Sequence, residues 1–418
     1  MVRRIRMWVL AAALAAGSVG MVRADEISDL RKQVEEQYNA LIRLQIQLSQ
    51  VENAQKQQAE SVKKLESTGG FTLPEPMKWA ERVRLYGDFR YRHEQIDGDR
   101  VDQRDRHRIR ARVGLKGSIN DEWSFDLRLA SGNDDSPIST NQDLDGGFSS
   151  KRIWLDRAFL TYEPDKMDGL AVLAGKMGMP FYTVGGNQLI WDSDLTPEGI
   201  AVQYTVNLNE TWSLFANGGG MWVEERGSDT DTSLWGLQGG LSHLFEDKSK
   251  LTGGVSYYKY GNIKGKAAIG AFAGNTSQGG VYAFDYELLE TFGEYATKLG
   301  ETPMAFYGNY VVNTASGVQG DTGWLLGARY NKASAPGTWE AGYEYRDLER
   351  DAVLGAFTDS DFIGGGTYGR GHKLGFKYAL AKNVAAGATY FISERDADGG
   401  GKRDDKYRRL QLDIELKF

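Results

Sequence analysis

The chain lacks both cysteine and any long apolar stretch, and these two absences set the first limits on its structure. Without cysteine, no disulfide can hold the fold together. The longest uninterrupted apolar run, Met7–Ala16, falls short of the roughly 18 residues that a membrane-spanning helix needs. If this chain crosses a membrane, it must therefore do so with β-strands.

Histidine is scarce, and the formal net charge of −7 is acidic. The four histidines, His93, His107, His243 and His372, are dispersed and match no metal-binding spacing. No serine-centred motif of a hydrolase is present. We therefore expect no metal, no cofactor, no enzymatic activity and, because the chain is acidic, no nucleic-acid partner. Glycine and aromatic residues, in contrast, are abundant, with 52 Gly, 21 Tyr, 17 Phe and 10 Trp.

Residues 1–24 have the pattern of a secretory signal peptide. Arg3–Arg6 is basic, Trp8–Ala16 is apolar, and Val22–Ala24 ends in a small residue. We expect cleavage before Asp25, which removes four arginines and no acids and changes the formal charge from −7 to −11. The alternative is a short buried helix.

Residues 25–67 are predicted to form a periplasmic coiled coil, followed by a linker over residues 68–80. Twelve positions follow alternating spacings of three and four, and Gln37, Gln55 and Gln58 occupy three of them. The other nine are apolar: Ile27, Leu30, Val34, Leu41, Leu44, Leu48, Val51, Val62 and Leu65. A stripe this narrow needs a partner helix, most simply the same segment of another copy. Its composition does not decide between two and three strands, and a single amphipathic helix on the main domain is the alternative.

From Val83 onward the apolar period changes to two, which is typical of strands with one apolar and one polar face. The last strand is the clearest case, since Leu410, Leu412, Ile414, Leu416 and Phe418 alternate with polar residues. We predict sixteen strands, at 83–93, 105–117, 122–131, 152–163, 169–178, 199–208, 211–223, 232–245, 250–260, 283–297, 303–313, 322–332, 338–348, 367–379, 383–394 and 407–418.

The connections between these strands are predicted to alternate between short turns and long loops, as in outer-membrane barrels. The long loops include 94–104, 132–151, 179–198 and 349–366. Trp123, Trp212 and Trp339 follow short turns, while Trp235 and Trp324 follow long loops, as expected of two membrane-interface belts. The fold class is therefore an all-β, sixteen-stranded antiparallel transmembrane barrel over residues 81–418, preceded by a helical coiled coil. A soluble β-sandwich or a β-helix is the alternative.

Charged residues that point inward are candidates for lining a pore. Seven arginines share inward parity on the first two strands: Arg84, Arg90, Arg92, Arg106, Arg108, Arg110 and Arg112. The partly apolar loop 179–198 carries Asp192, Asp194 and Glu198, and we expect it to fold inward and face the arginines, which would create a transverse field. The alternatives are a polar wall paired with local acids such as Asp88, Asp102 and Asp105, and an ordinary surface loop.

Several local phrases resemble those of the bacterial putative-porin family, which forms sixteen-stranded trimeric barrels, and more loosely those of phosphate-selective porins. They are Leu155–Tyr162, Trp191–Gly199, Leu374–Asn383 and the terminal Phe418. The resemblance implies a homotrimer in the outer membrane, surrounded by lipid and lipopolysaccharide. It also implies a third loop folded into the pore, and insertion by the barrel-assembly machinery with Phe418 as the signal. The inward cations are mainly arginine rather than lysine, which does not match a phosphate-selective ladder.

The sequence therefore predicts a porin for passive diffusion of small hydrophilic solutes and ions through a water-filled barrel narrowed by its third loop. Two other functions are considered. The coiled coil suggests a protein that tethers or spaces the envelope, and the arginines suggest an anion-selective channel.

Overall fold

The computed structural model describes residues 81–134, 136–396 and 401–418. The predicted signal peptide, coiled coil and linker lie outside these residues. Among the residues described, no helix has the length and apolar character needed to cross a membrane.

Sixteen antiparallel strands form a closed barrel. Their bounds are β1 Val83–Gly98, β2 Val101–Ser118, β3 Trp123–Ser131, β4 Ile153–Tyr162, β5 Leu170–Lys176, β6 Glu198–Asn207, β7 Trp212–Glu224, β8 Thr232–Leu244, β9 Lys250–Gly261, β10 Glu287–Leu299, β11 Thr302–Asn313, β12 Thr322–Asn331, β13 Trp339–Leu348, β14 Gly369–Ala381, β15 Val384–Arg395 and β16 Asp405–Lys417. Each strand pairs with its neighbours in sequence, and β16 closes the barrel on β1 with Leu416 opposite Phe89. The closed barrel therefore has no unpaired strand edge along its length. A bilayer requires this closure because unpaired backbone N–H and C=O groups are unfavourable in hydrocarbon.

The alternation of side chains explains why these segments become barrel strands. On β16, Leu412, Ile414 and Leu416 point outward and are 40–44% exposed, whereas Gln411 points inward and is 2% exposed. The exposed apolar faces form an outer surface suited to lipid. The prediction of sixteen strands is confirmed.

The tryptophans lie at strand ends, as predicted. Trp123, Trp212 and Trp339 begin strands β3, β7 and β13 at the short-turn end. Trp235 and Trp324 lie near the starts of β8 and β12, at the long-loop end of the barrel. All five side chains are exposed. An amphipathic indole ring is favoured at each interface of a bilayer.

The predicted loop 94–104 is wrong, because β1 continues to Gly98 and β2 begins at Val101. Gln95 and Asp105, which point outward in this extension, are polar and exposed. A strand that extends beyond the apolar belt does not need an apolar outer face. The alternation of apolar and polar residues therefore stopped before the strands themselves ended. The start of the tenth strand was also misplaced, since β10 begins only at Glu287, after a small hairpin that pairs Ser277–Gln278 with Val281–Tyr282.

The long loops fill one side of the barrel and carry its apolar core. The β5–β6 loop buries Phe181, Val184, Leu189 and Trp191 against inward side chains of β8 to β12. Three more loops contribute to the inner packing: residues 132–152 include a two-residue strand, Gln142–Asp143, beside β2, while residues 262–286 and 349–368 add buried aromatic and aliphatic side chains. The barrel interior is therefore divided into a packed side and an open side.

Candidate functional site

Six arginines of β1 and β2 form a basic surface inside the barrel, here called the arginine wall: Arg90, Arg92, Arg106, Arg108, Arg110 and Arg112. They occupy inward positions in register, with Arg90 opposite Arg110 and Arg92 opposite Arg108. Like charges placed directly opposite each other on neighbouring strands repel. The wall therefore requires carboxylates between its guanidinium groups.

Near the long-loop end of the barrel, the carboxylate of Glu94 offsets part of the positive charge of the arginines. Its side chain is fully buried, accepts a hydrogen bond from Arg106 and lies 2.5 Å from the guanidinium of Arg409 on β16. Asp143, from the two-residue strand of the β3–β4 loop, lies 2.6 Å from Nε of Arg108. Pairing with a group of opposite charge offsets part of the cost of removing each of these charged groups from water.

The middle of the wall is paired by one residue from a distant part of the chain and by one from β1 itself. Asp413 on β16 accepts hydrogen bonds from Nε and Nη2 of Arg92, at 2.7 and 2.8 Å. Asp88 accepts from Nε of Arg110 at 2.8 Å and of Arg112 at 2.7 Å. Each arginine of the wall has a carboxylate within 4.0 Å, so its positive charge is largely compensated.

The acidic residues predicted in the β5–β6 loop occupy three different environments. Asp194 does meet the arginine wall, since its carboxylate lies 3.2 Å from Arg112 and also accepts a hydrogen bond from the hydroxyl of Thr140. The structure places Glu198 away from the wall, at the start of β6, where its largely exposed side chain pairs with Lys176 at 3.0 Å. Arg84 also lies apart from the wall, opposite Lys116 near the short-turn end.

Asp192 contacts a second loop instead of the arginines. Its backbone N–H donates to the carbonyl of Phe357, and its carboxylate accepts from the N–H of Ser360, both at 2.8 Å. Burial and the nearby carboxylates of Asp359 and Asp194 raise the pKa of Asp192 well above its usual range. Asp192 therefore joins two loops.

The β5–β6 loop reaches strands far from its own. The N–H of Tyr182 donates to Gln238 on β8 at 2.7 Å, and the N–H of Gly185 donates to Glu294 on β10 at 2.7 Å. The carbonyl of Gly185 accepts a hydrogen bond from Arg329 on β12. These contacts fix the loop against the inner face of the barrel.

Sequence reasoning missed the role of the β13–β14 loop. Asp361 in this loop lies 2.7 Å from Arg409 and 3.2 Å from Arg92, and Asp359 lies 3.2 Å from Arg346. The available signal was the mixture of apolar and acidic residues over 356–363, which resembles the composition of the β5–β6 loop.

An open cavity of about 290 Å³ remains between β1 and strands β11 to β16. Charges of both signs line it: Arg90, Arg92, Arg329, Lys373, Lys377, Glu340, Glu344, Asp413 and Glu415. The cavity and the loops beside it are the candidate site of solute passage.

A closed sixteen-stranded barrel with an apolar exterior and a charged interior defines the class of porin-type barrels. Two segments of this chain, residues 96–286 and 284–418, match the family described as "Putative porin". The chain belongs to this family, which confirms the family resemblance of the sequence.

Two solved structures show the same fold. OprB of Pseudomonas putida has a TM-score of 0.53 and 13% identity over 81% of this chain and 95% of its own. OmpF of Salmonella typhi has a TM-score of 0.52 and 12% identity over 80% of this chain and 97% of its own. At such low identity the likeness concerns the fold alone. No curated protein matches this chain.

Proposed function

We propose that this protein is a porin of the bacterial outer membrane, through which small hydrophilic solutes and ions diffuse passively. The observation that carries the proposal is the closed barrel of sixteen strands, apolar outside and charged inside, in a member of the putative-porin family. A barrel of this strand number is too wide for its own inward side chains to fill, so it encloses water. A channel, rather than an enzyme, is the function that this architecture supports.

We propose that the β5–β6 and β13–β14 loops narrow the lumen together. The support comes from their contacts with each other and with opposite parts of the wall: Thr358 donates to the carbonyl of Leu189 at 2.9 Å, while Asp194 and Asp361 each contact the arginine wall. Since these contacts cover part of the wall, solutes would pass through the open cavity that Arg90, Arg92 and strands β11 to β16 line.

An anion-selective channel is a second candidate, favoured by Arg90, Arg92 and Arg329 in the cavity lining. The cavity also contains carboxylates, and the arginine wall is paired throughout. We therefore propose weak ion selectivity, with a transverse field between closely spaced charges of opposite sign.

Liposome swelling tests the diffusion proposal. Purified protein in liposomes should make them swell in isotonic sugar solutions, with rates that fall as the sugar becomes larger. Liposomes without protein are the control. Equal rates with and without protein for the smallest sugar would contradict the proposal.

We further propose that the protein is a homotrimer, with the coiled coil of residues 25–67 in the periplasm joining the copies. The heptad stripe in the sequence supports association of the copies, and the resemblance to trimeric porins supports the number three. Outer-membrane lipid and lipopolysaccharide would cover the exposed apolar belt. Phe418 exchanges two 3.1 Å backbone hydrogen bonds with Gly87, and recognition of this terminal strand by the barrel-assembly machinery would couple insertion to closure of the barrel.

Envelope tethering is a different function that the coiled coil favours, since diffusion does not need such a segment. Deletion of residues 27–66 should then alter envelope spacing and integrity while leaving solute diffusion through the barrel intact. Unchanged spacing and integrity in the deletion strain would count against tethering.

A further inference from the structure

Three glycines on neighbouring strands form a part of the cavity lining without side chains, here called the glycine floor. Gly342 on β13, Gly375 on β14 and Gly387 on β15 all point inward on consecutive strands, and Gly342 lies directly opposite Gly375. A Cβ atom built on Gly375 would meet no atom within 4 Å, and one built on Gly342 would meet a single backbone oxygen at 3.9 Å. A small molecule can therefore approach the backbone at this point.

Opposite charges flank the floor on neighbouring strands. β13 presents Glu340 and Glu344, and β14 presents Lys373 and Lys377; in the register, Glu344 lies opposite Lys373 and Glu340 opposite Lys377. Each of these acidic side chains therefore has a basic side chain as its cross-strand neighbour. A molecule that carries both an ammonium and a carboxylate can present each of its charged groups to the side chain of opposite sign.

The carboxylate of Glu344 has one oxygen with a hydrogen-bond donor and one without. Its side chain is 10% exposed, and its Oε1 accepts a hydrogen bond from the hydroxyl of Tyr307 at 2.8 Å. Its Oε2 has no hydrogen-bond partner among the described residues, and Nζ of Lys373 lies 3.6 Å away, beyond hydrogen-bond distance. A buried carboxylate oxygen without a donor is unfavourable, so a donor brought by a solute would be bound here.

We infer that this part of the cavity is a saturable binding site for small zwitterions, of which free α-amino acids are the simplest class. The ammonium group donates to Oε2 of Glu344 while the carboxylate lies against the ammonium of Lys373, and the glycine floor accommodates the body of the molecule. A solute with a single charge satisfies one of these groups and is repelled by the other. The inference rests on the proposed function, because it places the site on the diffusion path.

The test measures potassium chloride current through the full-length protein in a planar bilayer while glycine is added. Methylammonium chloride and sodium acetate at equal concentration serve as single-charge probes. We expect glycine to reduce the current saturably and the two single-charge probes to cause no saturable reduction.

Glu344→Gln should raise the half-blocking glycine concentration about tenfold or more, because one charge-assisted hydrogen bond is lost. Lys373→Gln should act similarly, and it decides the matter if Glu344→Gln does not fold. Lys259→Gln is the matched control, since Lys259 pairs with Glu287 at 2.8 Å with an exposed side chain outside the cavity. The control should leave glycine block unchanged.

Two outcomes overturn the inference: a current that glycine does not reduce saturably, and glycine block that folded Glu344→Gln or Lys373→Gln leaves unchanged. Absence of any ion current in the wild-type protein would instead contradict the proposed channel function. The two failures are therefore distinguishable.

Discussion

The ion pair between Lys377 and Glu415 allows the charge of the cavity to be changed by one unit in either direction. The two groups lie 2.7 Å apart on the cavity wall, and Glu415 also lies 3.8 Å from Arg90 and 3.6 Å from Arg110. Glu415→Gln should therefore leave positive charge uncompensated where Arg90 lines the cavity. Lys377→Gln should leave the Glu415 carboxylate in excess.

The size of the effect follows from Coulomb's law. A permeating ion about 5 Å from an unpaired unit charge in water interacts with it by about 0.8 kcal/mol. That energy is about a fourfold change in the local concentration of the ion. At 0.1 M salt the screening length is about 10 Å and the effect should be measurable, whereas at 1 M it is about 3 Å and most of the effect should disappear.

The assay is the reversal potential of purified protein in a planar bilayer under a potassium chloride gradient centred near 0.1 M. Because the anion is enriched and the cation depleted by about fourfold each, Glu415→Gln should raise the anion-to-cation permeability ratio by up to about sixteenfold, and Lys377→Gln should lower it by a similar factor. The double variant should return close to wild type, and circular dichroism confirms folding. Shifts of the same sign, or no shift in either folded variant, would refute the location of the pathway along this wall.

Three further predictions concern the cavity, the loop contact and barrel closure. Gly375→Trp places an indole in the cavity and should lower single-channel conductance, whereas Gly239→Trp, at an outward position of β8 with equally open space, should leave conductance unchanged. Because folding raises the pKa of Asp192, its stability contribution is fully present at low pH and is lost as pH rises through the raised value. Asp192→Asn should therefore gain thermal stability relative to wild type as pH increases, and a constant difference would contradict this. Deleting Phe418 removes two hydrogen bonds to Gly87 and should lower the yield of membrane-inserted barrel, measured by membrane fractionation; an unchanged yield would contradict a role in closure.

The barrel was predictable because its strands separate two solvents. Every other side chain of β16 faces outward, and a period of two over the length of a strand is visible in the sequence without any knowledge of partners. The same logic failed in the β1–β2 hairpin. Its extension past Glu94 has polar residues on both faces, so hydropathy does not distinguish it from a loop.

The arginines of the site were predictable, but most of their partners were not. Parity alone places Arg90 and Arg108 inside the barrel, and Asp88 does pair with its neighbours as one alternative suggested. Asp413 and Asp361, however, reach Arg92 only through barrel closure and through a loop folded inward. Contacts between residues hundreds of positions apart depend on register and loop packing, and the composition of a loop indicates that it folds inward but not which arginine it meets.

The most direct test of the central claim is the current through purified protein in a planar bilayer at constant voltage. A water-filled barrel predicts stepwise increases of ohmic current as molecules insert, in groups of three if the assembly is a trimer. A bilayer that contains folded protein but shows no current above the protein-free background would contradict the account.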